Sequence, residues 1–187
     1  MSAHHSISLI LVWNVANIEA KMAKASLLEP SHFLLGLCKV VDLDLTELIN
    51  KETPDRNDVL EEMLREVRKL RGVFCAAGFD AKLFRRRLRR LLPTSTAASE
   101  NPGRLRRSQP ARELFDEAEK YALFEGSSVY PIHLLNAILM AKIPESDELI
   151  TEMGFDKKRL LQTIKDQLLA NAGKPSGAKS NSRAKWN

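Results

Sequence analysis

Apolar residues recur along the chain every three or four positions, a spacing that places them on one face of an α-helix. Ala16, Ala20 and Ala23 share such a face, and their small side chains would let a second helix cross closely. The alternation with a period of two that indicates strands is nearly absent. The pattern therefore predicts an all-α fold, with helices over about 8–25, 30–41, 45–51, 55–71, 79–92, 108–124, 131–143, 145–153 and 157–170.

One stretch of sequence occurs twice. Residues 30–37 read Pro-Ser-His-Phe-Leu-Leu-Gly-Leu and residues 131–138 read Pro-Ile-His-Leu-Leu-Asn-Ala-Ile, so His32 and His133 stand 101 positions apart. Pro30 and Pro131 suit the first turn of a helix, where the missing N–H would be unpaired in any case. Each copy follows an Ala-rich helix that contains a Glu-Ala pair, at 19–20 and 117–118. This self-similarity predicts one structural unit used twice.

The repeat sets the expected domain organisation, in which each copy contributes about four helices. The first repeat covers 8–92 and gains an extra helix at 55–71, while the second repeat covers 108–170. Residues 93–107 contain Thr, Ser, Ala, Asn, Pro and Gly without periodicity, which is typical of a linker. Residues 171–187 form a polar, basic tail that we expect to be disordered. Each repeat would expose an apolar face on its own, so we expect the two to pack as one domain.

Basic residues are concentrated between Lys82 and Arg107, where nine Lys and Arg face one acidic residue, and again in the tail. The net charge of +5 is therefore unevenly distributed, since residues 82–107 and the tail are basic and the rest of the chain is acidic. The arginine-rich helix at 82–92 has three open interpretations: a solvated face, a contact for a protein partner, or a surface for nucleic-acid phosphates. Arg86 and Arg90 are the candidate contacts in the last two.

Several classes of site are not expected. Cys38 and Cys75 are far apart and lack the spacing of a zinc or redox site. The sequence has no Gly-x-x-x-x-Gly-Lys-Ser/Thr phosphate loop, so we expect no ATP hydrolysis on this chain, no cofactor and no metal. The apolar run Leu9–Trp13 is too short to span a membrane, and we expect a soluble, cytoplasmic protein.

The remaining candidates are the repeat histidines and the apolar run near the N-terminus. His32 and His133 lie one turn into an apolar helix without a nucleophile or a carboxylate at useful spacing, which favours a structural role over catalysis. Within the run, Leu9, Val12 and Trp13 fit two interpretations, namely plain core or a contact for a partner.

The repeated unit resembles the Clp-N (Clp repeat) domain, two copies of which form the N-terminus of Clp/Hsp100 AAA+ unfoldases. The first copy is shortened before Pro30, and the second is the closer match. The residues that carry the resemblance in the second copy are Ala111, Glu117-Ala118, Ala122, Gly126, Val129, His133-Leu134-Leu135 and Gly154-Phe155-Asp156.

The resemblance implies a non-catalytic module that docks an adaptor, a client helix or the AAA+ ATPase itself, with no membrane involved. In one branch of the family an acidic residue before each repeat histidine helps to bind phosphorylated arginine. Ser31 and Ile132 hold those positions here, which argues against that ligand. A groove for an amphipathic helix, as in the secretion-associated branch of the family, is more compatible with the apolar run Leu9–Trp13. The alternative is a basic helical protein that associates with nucleic acid through helix 82–92.

Overall fold

The structure is a computed structural model that describes residues 4–45, 57–93 and 105–172. Within these residues there is no strand, and the all-α prediction is confirmed. The predicted helix at 45–51, most of the linker and the tail from residue 173 lie outside the described part of the chain. The described helices are α1 (Ile7–Met22), α2 (Pro30–Val40), α3 (Asn57–Ala77), α4 (Ala81–Leu91), α5 (Gln109–Phe124), α6 (Pro131–Met140), α7 (Pro144–Glu152) and α8 (Lys157–Ala172).

The first helix of each repeat begins with the same cap. The hydroxyl oxygen of Ser6 accepts a hydrogen bond from the backbone N–H of Leu9, and that of Ser108 accepts one from Ala111, both at 3.3 Å. A serine in this position satisfies a backbone donor that the helix leaves unpaired. Both helices are 16 residues long. Because the two caps are equivalent, each residue of α1 corresponds to the residue of α5 that is numbered 102 higher.

This register corrects two details of the sequence comparison. The pairing of Glu19-Ala20 with Glu117-Ala118 is one helical turn out, because the counterpart of Ala20 is Ala122. The error arises because alanine recurs every four residues on this face of both helices. The first repeat is also not shortened before Pro30, since residues 23–29 join α1 to α2 while the shorter segment 125–130 joins α5 to α6.

The predicted close crossing of α1 with a second helix is confirmed, and the second helix is α2. Ala16 and Ala20 are fully buried. A Cβ atom added to Gly36 would lie 2.7 Å from the carbonyl oxygen of Val12, closer than side chains approach a backbone. Only glycine permits this approach.

The two repeats hold each other through a reciprocal pair of short backbone bridges. Before α1, the N–H of Ser6 donates to the carbonyl of Val129 at 3.0 Å, and Val129 lies just before α6. Before α5, the N–H of Ser108 donates to the carbonyl of Leu28 at 3.0 Å, and Leu28 lies just before α2. Each repeat thus completes the other, in an approximate two-fold relation.

An aromatic cluster lies where the repeats meet. Trp13 of α1 and Phe115 of α5 occupy equivalent positions, and their ring centroids are 5.2 Å apart. Phe33 of α2 packs edge-on against both rings, at 6.0 and 4.9 Å. The guanidinium of Arg107 lies over both Trp13 and Phe115, at 4.7 and 4.6 Å from the ring centroids. The core is therefore shared by the repeats.

A Gly-Phe-Asp turn follows α3 in the first repeat and α7 in the second. Gly78 follows α3 with a φ of 68°, and Gly154 follows α7 with a φ of 70°. The two phenylalanines, Phe79 and Phe155, pack together with ring centroids 4.6 Å apart. The helices before these turns differ in length, since α3 has 21 residues and α7 has nine. Helix α3 continues to Ala77, beyond the predicted end at Arg71.

Candidate functional site

The repeated Pro-x-His motif forms a helix cap. In α2 the Nδ1 atom of His32 accepts a hydrogen bond from the backbone N–H of Glu29 at 2.9 Å. In α6 the Nδ1 atom of His133 accepts one from the N–H of Tyr130 at 3.0 Å. Pro30 and Pro131 lie in the first turn of these helices, so each motif supplies the proline and the cap together. The histidine takes the place of the Glu or Gln of an ordinary capping box.

The electrostatics of the two histidines fit this capping role. Burial lowers the pKa of His133, although the nearby Glu125 acts in the opposite direction. Burial also lowers the pKa of His32. Since Nδ1 accepts a backbone hydrogen bond, the neutral ring of His133 carries its proton on Nε2, which lies 3.2 Å from a carboxylate oxygen of Glu125. Both ring nitrogens of His133 are therefore engaged within the fold.

The structure favours the core interpretation of the apolar run near the N-terminus. Leu9 and Val12 are 0% exposed and offer no surface to a partner. Trp13 is partly buried in the aromatic cluster. Ile10 is the strongly exposed member of the run, at 43%. The burial follows from the two-fold relation, because α1 must pack against both α2 and the second repeat.

Helix α4 carries the arginines in two groups with different surroundings. Arg85, which the sequence pattern placed outside, is buried, and it forms ion pairs with the buried Glu19 and with Asp42 at 4.0 and 3.4 Å. The Nε atom of Arg89 donates to the same Glu19 carboxylate at 2.8 Å. Arg87 pairs with Glu152 of α7 at 2.8 Å. These three arginines hold α4 against neighbouring helices.

Arg86 and Arg90 form the second group and are exposed. They are four residues apart, so they share one face of α4. Leu83 and Leu91 of the same helix also turn away from the core, at 43% and 52% exposure. The buried face of α4 consists of Ala81, Phe84, Arg85 and Leu88.

A groove with a volume of about 1050 Å³ lies between the repeats. Its walls are the start of α2 with the segment before it, the outer face of α5, and the segment 141–145 after α6. Leu92 and Pro93, at the end of α4, close one side. Leu27 and Met140 offer apolar surface here, at 40% and 54% exposure.

The rim of the groove is acidic. Glu29, Glu113, Glu117 and Glu145 line it, while Lys142 is the basic residue among the lining side chains. Glu113 and Glu117 are one turn apart on the exposed face of α5. Glu117 forms an ion pair with Lys120 of the same helix. The groove thus combines an apolar floor with an excess of negative charge, which suits a partner that is apolar and basic.

Sequence reasoning missed this groove because its walls come from distant segments. Leu27 lies in the segment between α1 and α2, and Met140 is the last residue of α6, so both stand outside the periodic stripes that mark a core. The signal that could have found it is the pair Glu113 and Glu117, which stands on the outer face of α5 at a spacing of four residues.

Among residues 4–45, 57–93 and 105–172, no group of three or more His, Cys, Asp or Glu is arranged to hold a metal ion. None of the helices described is both long and apolar enough to cross a membrane.

Neither a protein-family model nor a curated protein sequence matches the chain. Solved structures do. The Hsp104 N-terminal domain from Candida albicans aligns with 86% of this chain and 89% of its own length, at a TM-score of 0.59 and 19% identity. A structure from a malarial protein secretion system aligns with 88% of this chain and 94% of its own, at a TM-score of 0.52 and 17% identity.

A third structure leads to the same fold. The N-terminal domain of the caseinolytic protease associated chaperone ClpD from Arabidopsis thaliana covers 89% of this chain and 95% of its own length, with a TM-score of 0.50 and 14% identity. Identities this low carry the fold alone. The resemblance seen in the repeated Pro-x-His sequence is thereby confirmed at that level, and the chain has the all-α fold of a Clp-N-type domain.

Proposed function

We propose that this chain is a non-catalytic protein-interaction module that docks substrate or adaptor polypeptides for a Clp/Hsp100-type AAA+ unfoldase in the cytoplasm. The groove between the repeats is the docking site. The observation that carries the proposal is that Leu27 and Met140 expose apolar surface inside a large concave site. Exposed apolar surface in a groove costs stability unless a partner uses it.

The chemistry of the chain supports binding rather than turnover. The two histidines most suited to acid–base catalysis are occupied in helix caps. Burial raises the pKa of the Cys38 thiol, which makes that cysteine a poor nucleophile. A docking module needs neither a nucleophile nor a phosphate loop, and its specificity depends on shape and charge.

The surface of α4 is the candidate contact for the ATPase or for an acidic adaptor. Arg86 and Arg90 remain exposed after Arg85, Arg87 and Arg89 are engaged within the chain. Arginine binds carboxylates in a two-pronged geometry and suits this role. The internal ion pairs make a continuous phosphate-binding surface on α4 less favourable, so we prefer the protein partner to nucleic acid.

The test uses reduced, carboxymethylated lysozyme, a permanently unfolded polypeptide, as the probe. Its affinity for the full chain is measured by fluorescence anisotropy. The variants Leu27→Asp and Met140→Asp put charge on the apolar floor and should weaken binding by about tenfold or more, as expected for loss of an apolar contact. The matched control is Leu123→Asp, because Leu123 is 51% exposed and is not among the groove residues.

Two results would contradict the proposal. The first is that the native chain binds neither carboxymethylated lysozyme nor any other unfolded polypeptide tested at the same concentrations. The second is an equal loss of affinity in Leu123→Asp and in the groove variants. Circular dichroism of each variant shows whether the fold is kept, which is expected because the three side chains are exposed.

A further inference from the structure

The two-fold relation gives the open groove a counterpart on the other half of the molecule. Pro110, at the start of α5, corresponds to Ser8 of α1. Glu29, which precedes α2, corresponds to Tyr130, which precedes α6. The segment 141–145 after α6 corresponds to 40–44 at the end of α2 and just after it. The counterpart site is thus framed by Ser8, Tyr130 and residues 40–44.

Helix α3 occupies this counterpart site. The hydroxyl of Ser8 donates a hydrogen bond to the buried carboxylate of Glu66 on α3. Arg71 of α3 donates from Nε and Nη2 to the carbonyl oxygen of Val41, at 3.1 and 2.6 Å. Leu64 and Val67 of α3 line a small cavity together with residues 42–45. The protein therefore covers one of its two equivalent sites with its own amphipathic helix, and within residues 4–45, 57–93 and 105–172 no helix covers the other.

We propose that the open groove binds an amphipathic helix of a partner protein, with an apolar stripe like that of α3 and Lys or Arg beside it. This inference rests on the proposed function and names the class of polypeptide that the groove prefers. The stripe to be matched is Met63, Leu64 and Val67, which lie on one face of the part of α3 that has no counterpart in the nine-residue α7. The short α7 leaves room for such a helix where the long α3 fills it.

The preference for a basic helix follows from residues that differ between the two sites. Leu11 and Val15 share a face of α1 with Ser8, and both pack against the core. Their counterparts on α5 are Glu113 and Glu117, which are exposed at the open groove. An apolar wall in the filled site has thus been replaced by an acidic wall in the open one.

The residues around Glu66 in the filled site also differ in charge from the residues at the same place in the open groove. In the filled site a serine hydroxyl donates to this carboxylate, and Tyr130 lies nearby. In the open groove Pro110 has no hydroxyl to donate, and Glu29 holds the place of Tyr130. A guest carboxylate there would meet like charge, whereas a Lys or Arg would find a partner. The guest should therefore carry the opposite charge to α3 at this point.

The test compares two fluorescent peptides with the sequence of the part of α3 that α7 does not match, residues 57–67. One is unchanged, and the other has Glu62→Lys and Glu66→Lys. Anisotropy with the full chain should show that the lysine peptide binds about tenfold tighter or more, the difference that about 1.4 kcal/mol produces. The chain variant Glu113→Lys with Glu117→Lys should remove this preference. Both residues are exposed, so the variant should fold.

Three controls separate charge at the groove from charge in general. A scrambled lysine peptide has the same charge without the apolar stripe and should bind at least tenfold more weakly, because it cannot bury an apolar face. The chain variant Glu61→Lys changes an exposed acid on α3, away from the groove, and should keep the preference. A chain shortened after Ala172 lacks the basic tail, and unchanged binding to it shows that the tail does not compete for the groove.

The outcomes distinguish this inference from the proposed function. Equal affinity for the two α3 peptides, or a preference that survives Glu113→Lys with Glu117→Lys, would overturn the inference. Tenfold tighter binding of the shortened chain would also overturn it, because the chain's own tail would then be the occupant. In each case unfolded lysozyme can still bind through Leu27 and Met140, and the proposed function would stand. If lysozyme and both peptides all fail to bind, the two proposals fail together.

Discussion

The two repeats share their local devices and differ in how much surface they cover. Each has a serine cap, a Pro-x-His cap and a Gly-Phe-Asp turn, and each lends one backbone bridge to the other. The difference lies in the helix before the Gly-Phe-Asp turn, which has 21 residues in the first repeat and nine in the second. The longer helix fills one of two equivalent sites.

This difference shows how a duplicated fold can separate stability from binding. The filled half uses Ser8, Glu66 and Arg71 to hold α3 in place. The open half places Glu113 and Glu117 at the corresponding wall. Since the scaffold around both sites is the same, the covering helix and the wall residues can change without disturbing the core. The predictions below test this separation by changing equivalent positions in the two repeats.

The largest effect is expected at Glu19 and its counterpart Tyr121. Glu19 is buried and pairs with Arg85 and Arg89, so Glu19→Ala leaves the buried Arg85 with less compensation and should cost about 3–5 kcal/mol of unfolding free energy. Tyr121 lies half-exposed at the open groove, and Tyr121→Ala should cost about 1 kcal/mol. Urea unfolding of both variants measures the difference.

Calorimetry of Glu19→Ala adds a second measurement. Because the repeats share bridges and an aromatic cluster, we predict that the variant melts in one transition at a lower temperature. Two separate transitions, with only the first half destabilised, would show that the repeats do not unfold as one unit. Equal losses in Glu19→Ala and Tyr121→Ala would contradict the assignment of Glu19 to the stabilising half.

The next effect is expected where α2 crosses α1. Gly36→Ala introduces a Cβ that meets the backbone of Val12, and overpacking of this kind should cost about 1–3 kcal/mol. The equivalent residue in the second repeat is Ala137, which already carries a Cβ. Ala137→Gly should cost only about 0.5–1 kcal/mol through the flexibility of glycine. If thermal melting shows that Gly36→Ala does not lower the melting temperature, the crossing of α1 and α2 is as wide as the crossing of α5 and α6.

The fold was largely accessible from the sequence because its signals are local. Helix stripes, the Pro-x-His caps and Asp80 near the start of α4 each depend on residues a few positions apart. The misassignments arise where distant segments decide the outcome. The apolar run at Leu9 and Val12 fits core and partner contact equally until its neighbour from the second repeat is known. The burial of Arg85 depends on Glu19, which is 66 residues away.

The groove could not be predicted from the sequence for the same physical reason. It forms from a loop, a helix face and a helix end that belong to both repeats. The register error between α1 and α5 also hid the comparison of the two sites, because pairing Glu19 with Glu117 conceals that Val15 is the true counterpart of Glu117. Once the serine caps fix the register, the exchange of apolar for acidic residues becomes visible.

A smaller effect is expected in the pH dependence of stability. Burial lowers the pKa of His32 and of His133 in the folded chain. At mildly acidic pH the unfolded chain therefore binds more protons at these two residues than the folded chain does. The stabilisation is present above about pH 6.5, the ordinary pKa of histidine, and is lost as the pH falls toward the folded values. His32→Gln with His133→Gln keeps a capping side chain and should flatten this loss.

Urea unfolding of the native chain and of the double glutamine variant between pH 7 and pH 5 measures the change in slope. Glu66 acts in the opposite direction, because burial raises its pKa and its contribution is lost as the pH rises through the folded value. The variant Glu66→Gln separates this contribution from that of the histidines. If the free energy of unfolding changes with pH equally steeply in the native chain and in the double glutamine variant, the capping assignment is contradicted.

The smallest effect concerns Arg107 and His5, which hold equivalent positions before the two serine caps and both contact the aromatic pair. The Arg107 guanidinium lies 4.7 and 4.6 Å from the Trp13 and Phe115 rings, while the His5 ring lies 6.3 and 5.7 Å from them. Arg107→Met keeps the apolar stem and removes the cation, and should cost about 0.5–1 kcal/mol. His5→Gln keeps a side chain that can bond Glu119 and should stay within about 0.5 kcal/mol. The backbone bridges at 5 and 107 remain in both variants, so urea unfolding reports the side chains alone, and equal losses would show that the aromatic pair does not distinguish its two neighbours.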